Sequence, residues 1–141
     1  MLKMAGWLWF LKDDKPVQFD SNKCGKWMSF FEDQDYAIQI CQKAIDESAC
    51  FECKCSDLEL QGGTSGVICF YLECDDVEAH KKIIRFMIEN NLIRKTKSGR
   101  FYNNCFKLDS QTHAGEYGTD FESKIKLEEF IDLNTGKWIH K

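Results

Sequence analysis

The stretch Gly66-Val-Ile-Cys-Phe-Tyr-Leu72 carries an apolar side chain at every position after its glycine. A strand built from it presents oily groups to both sides and needs cover on both, which makes it a central strand. Two amphipathic patterns flank it and can supply part of that cover. Asp33 can cap a helix in which Ala37, Ile38, Cys41, Ala44 and Ile45 fall on one face at three- and four-residue spacing. After the strand, Asp75 with Glu78 reads as a capping-box-like start, and His80, Ile84, Met87 and Ile88 trace an inward stripe ending near Asn90-Asn91.

Further strands surround this unit. Met1 to Leu11 reads as a first strand, with bulky residues on both faces over Trp7-Leu-Trp-Phe-Leu11. Gly25 to Phe31 reads as a second, rich in strong β formers. Cys50 to Cys55 alternates Phe51, Cys53 and Cys55 with Glu52 and Lys54, so the lysine takes the face opposite those two cysteines. Arg94 to Gly99 is a basic loop. Arg100 to Leu108 is a long extended candidate on which Cys105 shares a face with Lys107, and Lys124 to Leu133 reads as a strand breaking into a short helix. The order β-β-α-β-β-α-β with further β structure predicts an α+β fold with helices on one face of a sheet.

One domain over residues 1–141 is expected, because the only proline is Pro16 and no Pro-rich or Gly/Ser-rich linker divides the chain. At 43% hydrophobic and 13% aromatic residues the chain has the inventory for a core. No basic leader precedes the apolar start and no apolar run approaches the roughly 18–20 residues that cross a bilayer, so a cytoplasmic location is expected. The eight cysteines, at 24, 41, 50, 53, 55, 69, 74 and 105, are even in number. A chain with this core does not need staples, and they are expected to be reduced core and strand residues.

The net charge of −4 hides an asymmetry. Residues 81–107 hold Lys81, Lys82, Arg85, Arg94, Lys95, Lys97, Arg100 and Lys107 against Glu89 alone, a balance of +7, and the remainder is −11. Such a segment can focus an anionic ligand, although a basic helix and loop are more often a solvated face. The acidic whole argues against duplex nucleic acid as a partner.

Three features could carry chemistry. Cys50, Cys53 and Cys55 suggest zinc, but no second Cys-x-x-Cys completes a tetrahedron and alternation sets Cys50 apart, so no metal and no cofactor is expected. A thiol nucleophile would need His80, His113 or His140, and nothing fixes the pairing. The third is Phe106 to Gly118, where Lys107, Asp109, Thr112, His113 and Tyr117 gather in a strand-turn-strand segment. Its donors could converge on an anion, or it could be a well-capped hairpin.

Taken with Gly25-Lys26-Trp27-Met28 and Lys54-Cys55-Ser56, the aromatic-Lys-x-Asp-x-x-Thr-x-x-Gly-x-Tyr pattern at Phe106, Lys107, Asp109, Thr112, Gly115 and Tyr117 resembles a family related to the basophilic leukaemia-expressed protein. That family is similar in fold to the translation-initiation cap-binding proteins. The resemblance covers roughly residues 25–118 and implies a curved antiparallel sheet backed by helices, with a face that holds a nucleotide. Tryptophans would stack on the base and cations hold the phosphates; Trp7, Trp9, Trp27 and Trp138 are available. Some bacterial relatives resemble phosphothreonine lyases, which implies a lysine base and a histidine acid, roles that Lys54, Lys107 and His113 could take.

Three functions are therefore expected in order. The first is binding or sequestration of a nucleotide-like or phosphorylated small molecule through Lys54, Arg100, Lys107, His113 and Tyr117, in the manner of a phage-type inhibitor of bacterial defence. The second is a phosphothreonine-lyase-like enzyme. The third is an inhibitor that binds a host protein through an acidic surface and a sheet edge, with no small-molecule site. Oligomeric state stays open.

Overall fold

The computed structural model describes residues 1–109 and 125–139. Among these residues seven strands form one antiparallel sheet that does not close into a barrel: β1 (Leu2–Met4), β2 (Trp7–Leu11), β3 (Cys24–Phe31), β4 (Glu52–Ser56), β5 (Gly66–Glu73), β6 (Cys105–Leu108) and β7 (Ile125–Lys126), in the order β1-β2-β4-β5-β3-β6-β7. The doubly apolar β5 lies in the middle of that order. Among the described residues, three α-helices accompany the sheet: α1 (Gln34–Asp46), the single-turn α2 (Leu58–Gln61) and α3 (Val77–Glu89).

The expected first strand is two strands. Ala5 and Gly6 both take positive φ, 53° and 84°, and turn the chain back so that Met4 pairs with Trp7. A two-residue loop with left-handed central residues matches the twist of an antiparallel ribbon. The long extended candidate from Arg100 also shortens to Cys105–Leu108, with a lone bridge between Phe101 and Lys95 before it. The strand over the cysteines starts at Glu52, which leaves Phe51 exposed and Cys50 buried outside it.

Both long helices begin and end on side-chain and backbone logic. Asp33 accepts the N–H groups of Asp35 and Tyr36 at 3.0 and 3.4 Å. On α3 the capping residue is Asp76, which accepts the Ala79 N–H at 3.1 Å. Asp75, the expected cap, instead pairs with Lys23 at 2.8 Å. Each helix closes on a left-handed non-glycine residue, Ser48 or Asn91, with a hydrogen bond spanning five residues: Ala49 N–H to Ala44 O and Leu92 N–H to Met87 O. These satisfy carbonyls that the helix end would otherwise orphan.

The buried stripes, Ala37, Ile40, Cys41, Ala44 and Ile45 on α1 and His80, Ile83, Ile84, Phe86 and Met87 on α3, pack on one face of the sheet. That face supplies Leu8, Phe10, Trp27, Cys53, Cys55, Ile68, Phe70 and Phe106 to the same core. All eight cysteines are free thiols; six are buried, and Cys74 and Cys105 are half-buried. No helix among the described residues is long and apolar enough to cross a membrane.

Candidate functional site

Strand alternation sends every second residue of β2, β4, β5, β3 and β6 to the face without helices. Trp9, Lys54, Cys69 and Met28 form one cross-strand row on that face, and Tyr71, Lys26 and Lys107 form the next. A smaller apolar cluster covers it: Cys24, Cys69 and Tyr71 are buried, and Trp7, Trp9, Phe19, Met28 and Val67 pack half-buried around them. Sequence alternation thus correctly set Lys54 opposite Cys53 and Cys55, and Lys107 beside Cys105.

The Lys54 ammonium sits among aromatic rings, 3.8 Å from the Trp7 ring centroid, 4.8 Å from Trp9 and 5.7 Å from Tyr71. Trp9 and Tyr71 are nearly parallel, 17° apart with centroids at 6.1 Å. The ring faces attract the cation, which is the compensation for taking it partly out of water. Burial lowers the Lys54 pKa, the like charge of Lys26 lowers it further, and Asp109 and Glu52 pull the other way. Burial likewise pushes the Cys69 thiol up to about 11 and raises the Tyr71 phenol.

Lys26 is held at 2.6 Å by Asp109, in a pair whose side chains are 13% and 24% exposed. Cys24 donates its thiol to the other oxygen of that carboxylate at 3.6 Å, and burial together with the Asp109 charge pushes this thiol up to about 12. At the same end of the face, the 15–23 segment is tied down by two N–H donors, Val17 to Glu52 at 3.2 Å and Asp20 to Glu73 at 2.7 Å.

Lys54 and Lys107 share a face without sharing a cleft. They stand on β4 and β6, three strand positions apart, about 14 Å at ordinary strand spacing. The Lys54 ammonium leans towards β2, away from β6. Lys107 instead lines a cleft of about 440 Å³ with Met28, Phe30, Tyr36, Arg94 and Tyr102. Its roof is the 91–94 segment, fastened to β3 where Ser29 Oγ donates to Leu92 O at 2.8 Å. Arg94 stacks over Phe30, guanidinium carbon 5.1 Å from the ring centroid.

Arg100 is exposed on the basic hairpin, whose turn is closed by the Thr96 N–H bond to Arg100 O at 2.7 Å. It borders a neighbouring depression of about 280 Å³ that shares Tyr102 and Asn103 with the Lys107 cleft. His113 and Tyr117, and His140, lie outside the described residues. His80 is 1% exposed in the core, accepting the Trp27 indole N–H at 3.0 Å.

Sequence reasoning did not single out Trp7, Trp9, Tyr71 and Lys26 as neighbours of Lys54, nor Arg94 as the basic-loop residue that lines the Lys107 cleft. The Trp-x-Trp and Cys-Lys-Cys alternations put the right residues on one face each, but the register that joins those faces is absent from either segment alone. Among the described residues no group of three or more His, Cys, Asp or Glu side chains could hold a metal ion. No protein-family model and no curated protein sequence matches the chain.

Proposed function

We propose that the helix-free face of the sheet binds a nucleotide-like, phosphorylated ligand. The observation that carries this reading is the Lys54 ammonium set among Trp7, Trp9 and Tyr71, with Lys26 on a neighbouring row. A ring system stacks on the half-exposed indoles while a phosphate takes the ammonium, whose partly desolvated charge attracts an anion more strongly than a lysine in water. The resemblance to the cap-binding-like fold supports the same face, since the sheet side without helices is where that fold holds its nucleotide. Binding of this kind acts by sequestration, as an inhibitor of a nucleotide-signalled defence would.

Thermal-shift measurement against mono-, di- and cyclic nucleotides tests the reading, because a ligand that binds only the folded state raises its apparent stability. At least one nucleotide is expected to raise the melting temperature. Lys54→Met and Trp9→Ala are each expected to remove that shift while leaving the ligand-free protein folded. Silence across the whole panel would sink the reading and favour docking of a protein partner.

One observation favours turnover as a second reading. A lysine whose pKa burial lowers is closer to the free-base form that an α-proton abstraction needs. Phosphate release from a phosphothreonine peptide, abolished by Lys54→Met, would establish the lyase-like activity.

A further inference from the structure

Besides the aromatic site at Lys54, two other places among the described residues set aromatic rings beside cations. The second is the Lys107 cleft, lined by Phe30, Tyr102 and Tyr36, which are 61%, 54% and 41% exposed, with the Arg94 guanidinium over Phe30. Large exposed rings cost solvation unless something covers them, and three around one cleft of about 440 Å³ form a stacking platform rather than scattered surface residues. The third is the Arg100 depression, which continues from the second through Tyr102 and Asn103.

Strand register and shared lining residues connect these places. The row Trp9, Lys54, Cys69, Met28 crosses the sheet from the aromatic site to the wall of the Lys107 cleft, about 14 Å over three strand spacings. From there the path runs under Arg94 to the hairpin carrying Lys95, Lys97 and Arg100. A mononucleotide can occupy one of these places but cannot span them. Rings and cations set at intervals, here on either side of buried Cys69, are the arrangement that holds a single strand, with bases stacked on aromatic faces and phosphates on the cations. Arg94, Arg100 and Lys107, three cations of the basic 81–107 segment, line the path.

We infer that the ligand is a short single-stranded oligonucleotide, seated at one end on Trp7, Trp9 and Lys54 and running past Arg94 and Tyr102 to Arg100. The inference rests on the proposed function, of which it names the substrate class. Duplexes do not fit the path, because their bases are already stacked and cannot lie on the rings.

Fluorescence titration of the full chain with oligo(U) and oligo(dT) of one, two, four and six nucleotides, at several salt concentrations, tests it. Affinity is expected to rise with length by at least about fivefold per added stacked base, the low end of what one base–aromatic contact supplies. Arg94→Ala and Arg100→Ala, both exposed, are each expected to abolish part of that rise and to reduce the steepness of the log–log salt dependence by about 0.7, one phosphate contact on a single strand. Tyr102→Ala removes part of the rise without changing the salt slope. For these three variants the loss relative to the parent grows with oligonucleotide length, whereas Trp9→Ala already lowers affinity at one nucleotide.

Mononucleotide binding that does not strengthen with length would overturn the inference and leave the proposed function standing. So would a length dependence untouched by the Arg94, Tyr102 and Arg100 variants. Absence of binding to every nucleotide and oligonucleotide would overturn both.

Discussion

His80 is the residue on which the core's polar accounting turns. It accepts the Trp27 indole N–H on Nδ1 at 3.0 Å, and its Nε2 lies 2.9 Å from the Cys74 carbonyl. An indole can only donate, so Nδ1 carries no proton and Nε2–H donates to Cys74: the ring is neutral, in one tautomer. Burial lowers the His80 pKa below its ordinary 6.5. The unfolded chain therefore binds a proton that the folded one refuses. Stability from this group is complete above pH 6.5 and falls as pH drops below it, with the loss continuing down to the lowered folded value. Urea midpoints measured from pH 7.5 to pH 5 are expected to decline, and the decline to shrink in Trp27→Phe, which removes the donor. Gly25 is decisive for a different reason. A Cβ there would stand 2.5 Å from the Lys107 carbonyl oxygen and 2.6 Å from the Phe106 ring, so β6 could not pair as closely with β3. Gly25→Ala is expected to cost about 1–3 kcal/mol in chemical denaturation, as overpacking does.

At the scale of elements, caps and turns separate what a segment can specify from what its neighbours specify. Asp75 and Asp76 both suit the start of α3, but the side chain that reaches the helix N–H groups is that of Asp76, while Asp75 turns out to Lys23. Asp76→Ala is expected to destabilise the fold by about 0.5–2 kcal/mol, the usual range for losing a cap. Asp75→Ala is expected to change stability by under about 1 kcal/mol, because the ion pair it breaks is exposed. Thermal melts of the two variants, side by side, check the assignment. The β1–β2 hairpin teaches the same lesson in reverse. Ala5-Gly6 interrupts an apolar run that otherwise reads as one strand, and only the chain reversal puts Trp7 and Trp9 next to β4, where they meet Lys54.

At the scale of the whole molecule, the sheet sorts side chains between two apolar layers, and the cysteines record that sorting. Cys41, Cys50, Cys53 and Cys55 go to the helix side, and Cys24 and Cys69 to the other, all buried. Cys74 and Cys105 remain half-exposed. A water-soluble disulfide reagent is expected to label these two in the native protein and the other six only on unfolding, with mass spectrometry identifying the sites. Fast native labelling of Cys24 or Cys69 would mean that the helix-free face opens more than its packing implies.

The α+β class, both long helices, the central position of β5 and the facing of Lys54 against Cys53 and Cys55 were legible in the chain, because each depends on the periodicity of a single segment and on which side of it is apolar. The site was legible only as parts. Lys54 and Lys107 were named and do share a face, but their separation across three strand positions, the leaning of Lys54 into Trp7, Trp9 and Tyr71, and the place of Arg94 over Phe30 depend on strand order and register between segments far apart in sequence. Periodicity is a local property that the amino-acid order carries by itself. Which strands become neighbours is settled by burying all of those local faces at once, and that choice decided what surrounds each lysine.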